Sequence, residues 1–408
     1  MNDFNVLVAL LGGVTLALGL PSRWLARSPL PPTLLALLIG IAVGPQVLNL
    51  IDLEATGHRA SLMEDAARLV LGIGLVGVAL RIPADYLRRR WREMLKLIGL
   101  SMVLMWIIST ALVFLILGLP LGLAALIGAI VTPTDPVAAS PIVTGAEAEK
   151  NIPENLRHAI SFESGANDGL AYLFVFLPFL LITRPTGDAV VHCLGKSLLW
   201  DIGIATLVGG AIGYGAARLL QQAERRGAIL EQWRLVYTVA MAFLALGIGR
   251  IIKSDEVLLV FAAGIAFTQV INQSDRQNEE HGQEAVNRFF AIPIFVLLGS
   301  VLPWKGWMDL GWSGPLLVAA ILLLRRPPVL LLLRRWLPDV RTRSEALFMG
   351  WFGPIAVAGI YYASLMEQRS GEAVIWHAVS LVICGSVILH GATGAPLTRA
   401  LGRHLRRT

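Results

Sequence analysis

Residues 162–169 read FESGANDG, and they bring two carboxylates, a hydroxyl and a carboxamide close together in sequence. In an α-helix, residues four apart share a face, so Glu163 aligns with Asn167 and Ser164 aligns with Asp168. Such oxygen-rich groups suit a hard monovalent cation, and a buried carboxylate can also take up a proton. The motif therefore permits competition between a cation and a proton. The alternative is a buried hydrogen-bond network that only holds helices together.

The elements that carry this motif are predicted to lie in a membrane. Of the 408 residues, 55% are hydrophobic and only 15% are charged, whereas a soluble domain has about 25% charged residues. Residues 97–120 contain no charge, and an apolar run longer than roughly 18 residues is typical of a membrane-spanning helix. The sequence therefore predicts an all-α polytopic membrane protein.

Charged and Pro/Gly-rich breaks divide the chain into about thirteen apolar segments, which we number in chain order. Each segment has at least 17 residues, which is the lower end of the range for a transmembrane helix. The segments cover approximately residues 4–20, 32–50, 66–84, 94–118, 121–144, 155–183, 197–220, 233–252, 255–271, 285–302, 311–334, 345–366 and 372–396.

The basic residues predict the orientation of these segments. If residues 398–408 form a short basic cytoplasmic tail, 24 Lys and Arg fall in cytoplasmic loops and 8 in outer loops. By the positive-inside rule, this imbalance predicts an outer N-terminus and a cytoplasmic C-terminus. We expect an integral protein of a bacterial cytoplasmic (inner) membrane. Residues 1–408 are expected to form a single membrane transport domain with no soluble domain and no cofactor.

Segments five and twelve are predicted to be discontinuous. Segment five carries Pro133, Pro136 and Pro141 around Asp135, and segment twelve contains the stretch GWFGP at 350–354. Proline removes a backbone donor and clashes with the preceding turn, so both helices should unwind there. An offset of seven segments makes the two cross in opposite directions, as inverted repeats of a transporter do. The alternative is a pair of Pro-kinked helices with no transport role.

Segment eleven contains two arginines, Arg325 and Arg326, within an apolar stretch. Charges at this depth are costly unless they are paired or reach the headgroups. Our hypothesis pairs Arg326 with Glu163, which leaves Asp168 as the titrating carboxylate. The alternative is that both arginines reach the cytoplasmic headgroups.

Other polar residues are expected to be less important. His390 in segment thirteen is expected to be a satisfied interhelical group, with a proton relay as the alternative. Asp201 and Arg250 lie near predicted outer ends and are expected to be solvated. Two distant cysteines, Cys193 and Cys384, indicate neither a disulfide framework nor a metal site.

Several motifs together resemble the NhaP-type monovalent cation/proton antiporters of the sodium/proton exchanger superfamily. The resemblance lies in residues 134–138 (TDPVA) and 163–169 (ESGANDG). The second half is similar to the fungal plasma-membrane sodium/proton antiporter branch at residues 325–328, 337–340 and 351–359. The similarity extends from about residue 60 to about residue 370.

The resemblance implies roles for individual residues. Asp168 would bind the cation and the proton alternately, with Ser164 and the main chain at Thr134 contributing further oxygens. Asp135 and Asn167 would shape the site and stabilise the crossing of the broken helices. Glu163 and Arg326 would form a structural ion pair. The family fold has thirteen helices in inverted repeats, a core around segments five, six, twelve and thirteen, and a dimerisation region.

The function implied is secondary active exchange of a monovalent cation for H⁺ by a homodimer that uses elevator-like alternating access. The cation implied is Na⁺ or Li⁺, with K⁺ as a further candidate. Family members with Asn-Asp at positions 167 and 168 resemble electroneutral exchangers. This chain departs from many bacterial relatives at residues 352–355, where it has FGPI in place of GLRG. The rival functions are a sodium-coupled symporter of an organic anion and a passive cation channel; an enzyme is not expected.

Overall fold

The computed structural model describes residues 2–25, 30–55, 57–271, 273–337 and 339–407. The side chains of residues 2–4, 23, 273–279 and 281 are not described. Arg27, which the orientation count includes, and Pro338 of the 337–340 motif lie outside the described residues. Within these ranges the regular secondary structure is entirely helical, which confirms the predicted fold class.

Each of the thirteen predicted segments contains one or more of the described helices, although individual ends differ from the prediction by up to twelve residues, as at the start of segment ten. One of these helices, Cys193–Ile204, is a π-helix, and Arg334–Trp336 is a 3₁₀ turn. The remaining helices are Asn2–Gly19, Ser22–Leu25, Pro32–Val43, Arg59–Arg81, Ala84–Leu117, Leu121–Ile130, Pro136–Val143, Gly145–Asn151, Glu154–Thr183, Thr186–His192, Ala205–Arg225, Trp233–Ile251, Glu256–Thr268, Gln273–Ser300, Trp304–Leu310, Ser313–Leu324, Pro327–Leu333, Arg343–Trp351, Val357–Ser370 and Ala373–Leu405.

By length and composition, six helical stretches of the described chain can each cross a membrane, and two of them, Thr186–Arg225 and Ser313–Trp336, join consecutive helices. A seventh span results if the bent pair Gly282–Ser300 and Trp304–Leu310 is taken together. The other segments are shorter apolar helices, such as Pro32–Val43 and Glu256–Thr268, or interrupted ones. The chain is therefore an integral membrane protein with about thirteen spans, as predicted.

The predicted interruptions of segments five and twelve are present. Segment five stops at Ile130 and resumes at Pro136, while segment twelve stops at Trp351 and resumes at Val357. Prolines in both gaps have no N–H to continue the helix. The two gaps touch, because the main-chain N–H of Asp135 donates to the Pro354 carbonyl at 2.8 Å. The interrupted helices thus cross at their unwound stretches.

Segment six is a continuous helix, Glu154–Thr183, that runs past this crossing. Its helical spacing keeps the four polar residues of the FESGANDG motif buried on the side that faces the other helices. Segment thirteen, Ala373–Leu405, is also continuous and includes most of the residues predicted to form the tail. Two long helices therefore support the two broken ones.

Candidate functional site

The crossing is held at its helix N-termini by Asp135, which is fully buried. Its Oδ1 accepts hydrogen bonds from the N–H groups of Val137 at 2.8 Å and Ala138 at 2.9 Å. Its Oδ2 accepts from the N–H groups of Val357 and of Ala358, the latter at 3.4 Å. One carboxylate therefore caps two half-helices from opposite repeats. Its negative charge is favourable at both N-termini, where the helix dipole is positive.

The C-terminal ends of the other two half-helices, Leu121–Ile130 and Arg343–Trp351, are held by Arg325. Its guanidinium donates to the carbonyls of Val131, of Thr132 at 3.0 Å and of Pro133 at 3.2 Å, which close the first half of segment five. It also donates to the carbonyl of Gly353, in the gap of segment twelve. A positive charge at two helix C-termini is stabilising for the same reason that a negative charge is at the N-termini. At the crossing, the negative charge of Asp135 therefore lies at two helix N-termini, and the positive charge of Arg325 lies at two helix C-termini.

Segment thirteen contacts two further backbone groups at the second gap. The Ile355 N–H donates to the Ser386 hydroxyl oxygen at 2.8 Å. One turn further on, His390 Nε2 lies 2.8 Å from the Trp351 carbonyl oxygen, and its Nδ1 lies 3.0 Å from the Ser386 hydroxyl. His390 is thus an interhelical group, as the sequence predicts, and it holds the end of a half-helix.

Replacing Ser386 with Ala is expected to destabilise the protein by about 1–3 kcal/mol, because the buried Ile355 N–H loses its acceptor. The measurement is the midpoint of thermal unfolding of the purified protein in detergent. Ser364→Ala is the matched control, since Ser364 is equally buried and its hydroxyl has no hydrogen-bond partner among the described residues. Equal midpoints for the two variants would contradict this role for Ser386.

Asn167 connects segment six to the first gap. Its Oδ1 accepts from the Thr134 N–H at 3.1 Å, and its Nδ2 donates to the Thr134 hydroxyl at 2.8 Å. The same Nδ2 lies 3.3 Å from Glu163 Oε1. Glu163 Oε2 in turn lies 2.5 Å from Arg326 Nη2, and both side chains are buried. These residues form a chain of polar contacts from segment eleven through segment six to segment five.

Asp168 has a different environment from the other acids of the site. It is fully buried, and neither carboxylate oxygen has a hydrogen-bond partner among the described residues. Its main-chain carbonyl accepts from the Tyr362 hydroxyl at 3.4 Å. Ser164, one turn earlier, donates to the Ser161 carbonyl at 3.1 Å. Because a buried charge is costly without a partner, a carboxylate in this position requires a cation or a proton.

The structure brings the predicted residues Thr134, Asp135, Glu163, Asn167 and Arg326 into one contact network, with Ser164 and Asp168 on the same helix. Sequence reasoning missed the hydrogen bonds of Arg325 to four carbonyls and the contact of Ser386 with the second gap. The sequence does contain an indication of the Arg325 contacts, because two adjacent arginines in an apolar segment need two sets of partners. The expectation that Asp201 is solvated is wrong: it is 1% exposed and bonds to Lys196 and Tyr172.

Two interrupted helices that cross beside a buried carboxylate define an inverted-repeat secondary transporter. The chain belongs to the sodium/hydrogen exchanger family, because the family model "Sodium/hydrogen exchanger, transmembrane" matches residues 6–400. The predicted resemblance to NhaP-type antiporters and their fungal branch is thereby confirmed.

Individual relatives agree with this assignment. The chain is 31% identical over 404 residues to Na(+)/H(+) antiporter 2 of Zygosaccharomyces rouxii, with 91% of the chain and 50% of that protein covered. It is 29% identical over 385 residues to a Na(+)/H(+) antiporter of Schizosaccharomyces pombe, with 86% of the chain and 81% of that protein covered. The chain therefore spans about half the length of the first relative.

The fold is similar to that of a solved structure, the sodium proton antiporter MjNhaP1 from Methanocaldococcus jannaschii. The TM-score is 0.78 over 98% of this chain and 99% of that one, at 18% sequence identity. At this identity the likeness concerns the fold alone. It extends over nearly the whole of both chains.

Proposed function

We propose that this protein is a secondary active antiporter that exchanges a monovalent cation, Na⁺ or Li⁺ and by extension K⁺, for H⁺ at Asp168. The observation that carries the proposal is the fully buried Asp168 carboxylate with no partner among the described residues. Thr134 directs its N–H and its hydroxyl to Asn167, which leaves its carbonyl oxygen for a cation. The Ser164 hydroxyl oxygen, one turn from Asp168, is the other ligand that we propose.

The same contacts support a one-for-one, electroneutral exchange. Asp135 accepts four main-chain N–H groups, and Glu163 faces Arg326, so both are stabilised as anions without a transported ion. Asn167 is neutral. A single acid, Asp168, then remains to carry either one cation or one proton. Protonation removes the charge that makes a bound cation favourable, so the site crosses the membrane loaded with one or the other.

The assembly and the membrane are also proposals. Segments five, six, twelve and thirteen would form the moving core, and the other segments would include a dimerisation region of a homodimer. We retain the predicted orientation, with the N-terminus outside and the C-terminus cytoplasmic. The sequence predicts a bacterial inner membrane, whereas the yeast origin of the curated relatives favours a eukaryotic membrane.

Proteoliposome exchange tests the proposed function. The outside solution is made more acidic than the inside, and Na⁺, Li⁺ or K⁺ is placed inside the liposomes. We expect the cation to leave as protons enter, so that the proton gradient dissipates. The rate of this dissipation should be unchanged by a clamped membrane potential. A cation channel would instead give potential-driven cation flux without proton countermovement. A symporter would show Na⁺-dependent uptake of an organic anion and no proton exchange. Either of these results would refute the proposal.

A further inference from the structure

A second group of acids lies at the end of the molecule that is predicted to face outside. Most of them have a cationic partner in the described part of the chain. These ion pairs are Glu367 with Arg59 at 2.6 Å, Glu256 with Arg68 at 2.9 Å, Glu64 with Arg250 at 3.3 Å and Asp201 with Lys196 at 2.6 Å.

Asp255 is the exception among these acids. It is 2% exposed and has no ion pair among the described residues. Its Oδ1 caps the helix Glu256–Thr268 by accepting from the N–H groups of Val257 at 3.0 Å and Leu258 at 3.1 Å. Its Oδ2 has no hydrogen-bond partner in that part of the structure. One oxygen of a buried carboxylate is therefore free for a ligand.

The level of Asp255 relative to Asp168 follows from the antiparallel register in which segments six and nine pack against each other. Gly165 abuts Phe261, and Gly169 abuts Leu258, where a side chain larger than hydrogen would not fit. Continuing this register by one turn places Tyr172 beside Asp255. Tyr172 is four residues beyond Asp168, or about 6 Å along the helix axis. Asp255 is thus one helical turn from Asp168 toward the predicted outer face.

Further oxygen atoms lie near Asp255 and Asp168. Tyr172 donates its hydroxyl to Asp201 Oδ2 at 3.0 Å, and the main-chain N–H of Asp255 donates to the Asp201 carbonyl at 3.1 Å. Lys196, whose side chain is 42% exposed, neutralises Asp201. The Tyr362 hydroxyl contacts the main chain of Asp168 at the inner end. The ion-paired cations at this end, Arg59, Arg68, Arg250 and Lys196, face other acids, and none of them pairs with Asp255.

We propose that Asp255 forms a second, weaker site for the transported monovalent cation, one turn outward from Asp168, which the ion occupies on its way between Asp168 and the predicted outer face. Carboxylate, hydroxyl and carbonyl oxygens are ligands that hard monovalent cations accept. The helix N-terminus stabilises the free carboxylate and so limits the affinity of this site for a cation. A weak site of this kind lets an ion leave as readily as it enters. This inference rests on the proposed exchange function.

The test is Asp255→Asn, because Asn keeps the helix cap and removes the charge. Exchange is measured in right-side-out and in everted membrane vesicles, which present opposite faces of the protein to added Na⁺. We expect the KM for Na⁺ to rise about tenfold at the predicted outer face only, and this rise corresponds to about 1.4 kcal/mol. At the opposite face we expect the KM to stay near the wild-type value. Asp255→Ser, which also keeps the cap, should behave in the same way.

Glu372→Gln is the matched control, since Glu372 is an exposed acid at the same end of the molecule, and its KM should not change at either face. Wild-type KM values at both faces for Asp255→Asn would overturn the inference, and so would an equal rise at both faces, which indicates a structural role. In either case exchange by the wild-type protein would leave the proposed function intact. Absence of exchange in the wild type would refute both.

Discussion

Replacing Asp168 with Asn is expected to abolish cation/proton exchange while leaving the protein folded. The carboxylate makes no hydrogen bonds to described residues that the substitution would break, and Asn has nearly the same shape. The variant can neither release a proton nor offer a full charge to a cation. Two unit charges 4 Å apart interact by about 4 kcal/mol at an effective dielectric constant of about 20, so the affinity should fall about a thousandfold. The measurement is Na⁺-driven dissipation of a proton gradient in proteoliposomes.

Asp188→Asn is the control for this experiment, because Asp188 is an exposed acid that makes no contact with the site. It should exchange at the wild-type rate. Elution profile and thermal midpoint in detergent should be the same for both variants and the wild type. Wild-type exchange by a folded Asp168→Asn protein would contradict the assignment of Asp168 as the exchanging carboxylate.

The second large effect is expected for the buried ion pair between Glu163 and Arg326, whose side chains are each 1% exposed. Removal of one partner leaves an uncompensated buried charge, which costs about 3–5 kcal/mol. Glu163→Ala and Arg326→Ala should therefore each lower the thermal midpoint strongly and reduce the yield of folded protein. The double variant should lose no more than either single variant, because it leaves no buried charge unpaired.

Asp85 and Arg89 provide the matched comparison, since they form an ion pair with side chains that are 71% and 78% exposed. An exposed pair contributes only about 0.3–0.5 kcal/mol, so its single and double variants should unfold near the wild-type midpoint. Additive losses at Glu163 and Arg326 would show that the two residues act independently and would refute the structural pair.

Much of the fold follows from local features of the sequence. The apolar runs predict the segments because a spanning helix must satisfy its own backbone in lipid. The prolines around Asp135 and the GWFGP stretch predict the two gaps for the same reason. The lengths of individual helices were less predictable. The helix of segment two, for example, ends at Val43, before its predicted end at residue 50. The helix of segment ten begins at Gln273, twelve residues before its predicted start at residue 285.

The contacts within the site were only partly predictable. The sequence singles out Asp135 because an acid in an apolar segment is costly, but its second helix cap lies more than two hundred residues away. Arg325 is similar, since its carbonyl partners exist only once the two gaps cross. Asp255 did leave a local signal. An Asp directly before an apolar helical run is typical of an N-cap, yet nothing in the sequence indicates that its second oxygen is buried beside segment six.

The central claim is that one carboxylate, Asp168, binds either a cation or a proton. The most direct test is to add Na⁺ to the purified protein in a weakly buffered detergent solution that contains a pH indicator. Competition predicts release of up to about one proton per protomer as the cation binds, and no release from Asp168→Asn. No release from a wild-type protein that binds Na⁺, or equal release from the variant, would contradict the account.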